Sequence, residues 1–130
     1  GGPRTGGLAT TALAVGATRS SLAILDAESA TRPGLKPIAA GLRADVERIA
    51  NRLRAAATDG IEAEARDSLR AEATSLVVRA AQAALTASKG AGFVAGHPVE
   101  RLVRESLFFL VWSCPQAVTT AVLCELAGMS

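Results

Sequence analysis

The chain of 130 residues has no tyrosine, one tryptophan, three phenylalanines and a single histidine. So few aromatics leave no stacking platform for single-stranded nucleic acid. The lone His97 stands three residues before Glu100. A di-iron bundle needs the Glu-x-x-His motif twice, plus two further inward glutamates, so His97 reads as a loop or helix-start residue and no metal site is expected. The two cysteines, Cys114 and Cys124, match no zinc spacing. They are expected to be reduced thiols of a cytoplasmic protein, with Cys124 buried on a helix. Long apolar runs are also missing. The longest, residues 107–112, has six members against the ~20 a bilayer span requires, so no membrane span is expected. Residues 8–15 have the texture of a signal-peptide core, but Arg19 and Asp26 come too soon after them for that role.

No charge of one sign dominates. Fourteen Lys+Arg face twelve Asp+Glu, a net charge of +2, and the signs interleave, as in Arg43, Asp45, Glu47 and Arg48. Interleaving describes a solvated helix face rather than a phosphate-binding stripe, so no nucleic-acid partner is expected. What the chain does have is apolar residues, 49% of the total, and much of that is alanine and leucine. Those are helix formers that pack at close range, and they predict an all-α domain with a core of its own. The opening Gly1-Gly2-Pro3, without Met, is expected to reflect processing, truncation or a lost upstream region.

Periodicity divides the chain into helices at about 6–30, 36–57, 60–88, 97–113 and 116–127. In the first, Leu8, Ala12, Val15, Leu22 and Leu25 share a face, weakened at Gly16. Thr31-Arg32-Pro33-Gly34 breaks the chain, since proline disfavours helix at Arg32 and Gly34 suits a left-handed turn. Ile38, Leu42, Val46, Ile49 and Leu53 then make the clearest amphipathic stripe. Thr58-Asp59-Gly60 ends it, with Thr58 or Asp59 also available as the cap of the next helix. The third helix runs Ile61, Ala65, Leu69, Ala73, Leu76, Ala80, Ala84. Its wet face holds Glu62, Glu64, Arg66, Asp67, Arg70 and Glu72, and past Leu76 it should be buried on several sides. Pro98 opens the fourth, whose inner face is Val99, Leu102, Val103, Ser106 and Phe109, and Pro115 should end it. Short turns between these elements predict one domain, an up-down-up-down four-helix bundle with a short extra C-terminal helix.

Taken alone, the candidate chemical residues have plain structural readings. Ser113 has no base beside it and no G-x-S-x-G elbow, so it reads as a polar residue at a helix end. Gly90-Ala91-Gly92 lacks the preceding strand of a dinucleotide fingerprint and suits a tight helix-to-helix turn. The bulky stretch ending in Trp112 reads as core or subunit interface.

Together these residues form a pattern. Gly90-Ala91-Gly92-Phe93, then His97-Pro98-Val99-Glu100-Arg101-Leu102 and Arg104-Glu105, resembles the C-terminal helical domain of acyl-CoA dehydrogenases. In that family a Gly-Asn-Gly-Phe/Tyr turn leads, at the same spacing, into a Pro-Val-Glu-Arg/Lys-Leu-x-Arg-Asp helix start. The match is closest over residues 86–104, and the earlier helices agree in length, order and small-residue texture. The resemblance implies a bundle that packs on two further domains, binds part of an FAD and assembles into homo-oligomeric dimers or tetramers. The flavin contacts it implies are Thr86, Gly90 and Gly92. A neighbouring subunit's FAD would meet Arg32, although the family's Arg-x-x-Phe-Gly reads Arg32-Pro33-Gly34-Leu35-Lys36 here. The family's glutamate base, which removes the substrate's α-proton, aligns with Ser113, and a hydroxyl cannot serve as that base. The implied protein is therefore one part of an oxidoreductase acting on an acyl-CoA-type substrate, inactive alone. The rival expectation is a non-catalytic bundle for self-association or partner binding. In either case residues 8–15 and 108–112 should present apolar surface when the chain stands by itself.

Overall fold

A computed structural model describes residues 2–88, 98–111 and 116–129, with side chains from residue 8 onward. Five α-helices make up the described chain, and no strand occurs among the described residues. They are α1 (Gly2–Ser29), α2 (Lys36–Asp59), α3 (Ala63–Ala87), α4 (Pro98–Phe108) and α5 (Gln116–Leu126), with one 3-10 turn at Pro33–Leu35.

Helix ends arise from local chemistry. α2 stops where Gly60 takes φ +81°, and its N–H bonds the Ala56 carbonyl at 2.9 Å. A left-handed glycine is the usual terminator there. Gly34, by contrast, lies inside the 3-10 turn and not in a left-handed one. Neither Thr58 nor Asp59 caps α3, whose N-cap is Glu62 without a side-chain bond. Ile61 precedes that helix and Ala65 faces solvent. α5 closes with Met129 N–H on the Cys124 carbonyl (2.8 Å) and Gly128 N–H on Glu125 (3.1 Å), Gly128 having φ +72°. These are the paired bonds of a Schellman motif. α4 starts at Pro98 as expected but is shorter than predicted. Residues 109–111 tighten into bonds to carbonyls three positions back, a common way for a last turn to close.

Ion pairs fix the helix directions. Arg19 pairs with Glu47 and Asp26 with Arg43, so α1 and α2 run antiparallel. Arg48 and Arg52 share Glu72 (3.2 and 2.7 Å), while Arg79 approaches Asp45 (3.9 Å), so α2 and α3 are antiparallel too. α1 and α3 are therefore parallel, and they make the most extensive contact among the described residues. α3 also meets α2, α4 and α5, which explains the unbroken buried run Leu69–Val78, save half-buried Glu72, and the buried Ala80, Ala81 and Ala84 beyond it. The burial on several sides that the fading polar pattern predicts past Leu76 begins instead at Leu69, and beyond Val78 the helix opens again at Arg79, Gln82 and Thr86.

The main core gathers Val46, Ile49, Leu69, Leu76, Val77 and Val99, each at most 1% exposed. Each such side chain contributes roughly 1.5–3 kcal/mol on burial. A second cluster joins Ala71 to Val118 and Val122, and so ties α5 to the first half of α3. α1 departs from its expected pattern. Its buried stripe is Thr11, Ala14, Val15, Thr18, Ser21, Leu22 and Leu25, while Ala12 is exposed. The Thr18 hydroxyl donates to the Ala14 carbonyl at 2.8 Å, which lets a small polar residue sit against α3 without an orphaned group. Arg70, expected on the wet face, is 6% exposed, and Ile38, expected inside, is 49% exposed. Cys124 is free and half-buried, less enclosed than expected. Among the described residues one helical stretch, Leu8–Ser29, is long and apolar enough to cross a bilayer by length and composition, with a third of its best window buried. Core helices pass the same test, and counting uninterrupted apolar runs misses it.

Candidate functional site

Arg32 leaves α1 because the next residue is proline. Its backbone is extended (φ −132°, ψ 83°), which breaks the helix and swings the side chain across to α3. Glu28, one turn earlier on α1, holds the guanidinium at 2.9 Å. The same Nη2 donates to the carbonyl of Ala87, in the last turn of α3. A cation at a helix C-terminus is favourable because the last carbonyls are otherwise unpaired and carry the negative end of the helix dipole. Thr86 lies next to that carbonyl, exposed, its hydroxyl donating to Gln82 at 2.8 Å.

Two of the predicted cofactor positions, 54 residues apart in sequence, are thus brought to one end of the molecule. Gly90, Gly92 and His97 lie outside the described residues, as do Trp112, Ser113, Cys114 and Pro115. Among the described residues no three of His, Cys, Asp or Glu converge as metal ligands. Glu28, the acid that orients Arg32, is a residue that sequence reasoning misses. Its spacing of four from Arg32 is the signal that could have found it.

A second feature lies between α1 and α4. An open groove of about 510 Å³ is lined by Leu13, Ala17 and Ser20 on one side and Leu102, Phe108 and Phe109 on the other. Arg101 and Glu105 also line it, paired along α4 at 3.3 Å. The apolar segments expected to show at the surface therefore meet in one place. Leu13 is 55% exposed and Phe108 63%, with Leu107 and Val111 beside them, while Phe109 turns inward to the core. A second concavity, of about 210 Å³, runs between α1 and α2 beside the Arg19 and Arg43 ion pairs.

No family model, curated protein or solved structure matches the chain.

Proposed function

We propose that the chain is the C-terminal helical bundle of an FAD-dependent, acyl-CoA dehydrogenase-like oxidoreductase, contributing to cofactor binding and self-association and inactive alone. In this reading α1 to α4 form the up-down-up-down bundle and α5 is the extra C-terminal helix. The observation that supports it most is the contact of Arg32 with the end of α3 beside Thr86, since it brings to one end of the molecule two positions expected at FAD, Arg32 at that of a neighbouring subunit.

The donors fit a pyrophosphate and ribose. Both bonds to Arg32 are made by Nη2, and a guanidinium carries five N–H groups in a planar fork suited to phosphate oxygens. The Thr86 hydroxyl donates to Gln82 and keeps lone pairs for a ribose hydroxyl. Thr86 would hold this part of the cofactor with the glycines at 90 and 92, Arg32 would reach the FAD of a neighbouring subunit, and FAD would supply hydride acceptance. The proton-accepting base would come from elsewhere in a longer polypeptide, because Ser113 stands at the family's position for it. The reading carries with it a cytoplasmic location, an acyl thioester substrate, no nucleic-acid partner and no membrane span.

Visible absorbance of the longer parent polypeptide and of this chain tests it. Flavin should copurify with the parent, and Arg32→Ala in the parent should weaken its retention more than Arg32→Lys does. A parent free of flavin under all conditions would sink the proposal. It would leave the second reading, a non-catalytic association module, which the exposed Leu13, Leu107 and Phe108 favour.

A further inference from the structure

The groove between α1 and α4 has depth because its two sides differ in bulk. Leu13, Ala17 and Ser20 follow at intervals of four and three along α1, so they form one stripe. Ala17 and Ser20 are small, and opposite them stand Leu102, Phe108 and Phe109 of α4. Phe109 is buried, Ala17 and Leu102 are half-buried, and Leu13 and Phe108 are exposed. The result is an apolar trough with a buried base and open rims. Its volume of about 510 Å³ lies within the ~300–1,000 Å³ typical of small-molecule sites, which combine apolar walls with a few polar groups.

Three polar residues complete the lining, and they define the ligand. Arg101 and Glu105 pair with each other at 3.3 Å, so an anion that gained the guanidinium would meet the carboxylate, and a cation the reverse. A neutral molecule leaves the pair intact. The Ser20 hydroxyl donates to the Gly16 carbonyl at 3.3 Å and keeps its lone pairs for one N–H or O–H. The two phenylalanines favour flat rings, which pack against theirs edge-on or offset. From this geometry we infer that the α1–α4 groove is a small-molecule site for an uncharged, ring-bearing apolar ligand with a single hydrogen-bond donor, received by Ser20. None of its lining residues belongs to the set expected at FAD, so the inference is independent of the flavin reading.

Fluorescence titration of this 130-residue chain with N-phenylnaphthylamine tests it. That dye is uncharged and joins a naphthalene to a phenyl ring through one N–H. Its emission should rise on binding, with a dissociation constant on the order of ten micromolar. Ser20→Trp, which fills the groove from an exposed position, should weaken binding at least about tenfold, and Phe108→Ala about fivefold. Ser20→Ala should cost about threefold, the loss of one hydrogen bond. All three variants should keep the wild-type melting temperature, because both positions are exposed. Leu123→Ala, at an exposed apolar position of α5 outside the groove, should leave the affinity unchanged. Anilinonaphthalene sulfonate, which has the same rings and an added anion, should bind no more tightly. A wild-type chain without saturable binding overturns the inference. Binding that Ser20→Trp and Phe108→Ala leave untouched also overturns it, since the dye would then sit on another apolar face. Ser20→Ala without effect overturns the hydrogen-bond assignment, and tighter binding of the sulfonate overturns the ligand class in favour of an anion held by Arg101. Flavin retention in the parent is read separately, so the two failures are distinguishable.

Discussion

Glu47 shows how a single charged side chain behaves on this surface. It is half-exposed on α2, and the hydrogen bond donated by Arg19 of α1 holds its carboxyl below the usual carboxylate range, with Arg54 and Arg43 adding to the attraction. A carboxylate whose folded pKa is depressed contributes stability that is present above its unfolded pKa and lost as pH falls through the folded one. Replacing Glu47 with Gln should therefore lower the melting temperature slightly at neutral pH. The gap from wild type should close in acid, once both proteins lack that charge, and should shrink with added salt because the pair is exposed. Thermal melts across a pH series check this. Pairing of this kind is only partly legible in the sequence. Interleaved signs on α2 announce a solvated face, and most of those residues are indeed exposed. Arg70 of α3, expected on a wet face, is buried instead, because a helical wheel marks which side of α3 is polar but not that other helices surround α3 on several sides.

Individual helices are the most legible level. All five are readable from the periodicity, with ends displaced by a few residues where the terminating chemistry is backbone-borne, as in the tightened turns after Phe108. Glycine gives the clearest test at this scale. Gly16 lies within α1 with open space where a Cβ would stand. Gly16→Ala should stabilise by ~0.5–1 kcal/mol through the lower entropy of the unfolded chain. Gly60 also has open space, but its φ of +81° is one that a side chain resists. Gly60→Ala should destabilise by about 1 kcal/mol. Urea melts should move the two midpoints in opposite directions with unchanged slopes. A shift of the same sign in both would mean that space rather than backbone conformation controls these sites.

At the scale of the molecule, helix order and short connections foretell the antiparallel runs of α1, α2 and α3, and the ion pairs between them bear this out. What the sequence hides is the meeting of distant segments. The Arg32 contact with α3 depends on α1 and α3 running parallel, and the groove depends on α4 lying against α1. Native-state hydrogen exchange should reflect this organisation. Amides in the middle of α3 should exchange only through global unfolding. Those of α5, held mainly through Val118 and Val122, should open at lower free energy. Equal protection in the two helices would show that α5 is bound into the cooperative unit more firmly than its small cluster implies.

The enclosure of α3 also bears on how the protein can change over generations. Ala73, Ala80 and Ala84 leave at most 2% of their surface open, so a larger side chain at any of them would wedge apart helices that meet there. Drift is channelled away from this helix toward the outer faces of α2 and α5, where charge and shape are free to vary. A distant cousin of this chain would keep the small residues of α3 for steric reasons long after its surface had been rewritten. Its ancestry would then be written in plain alanine.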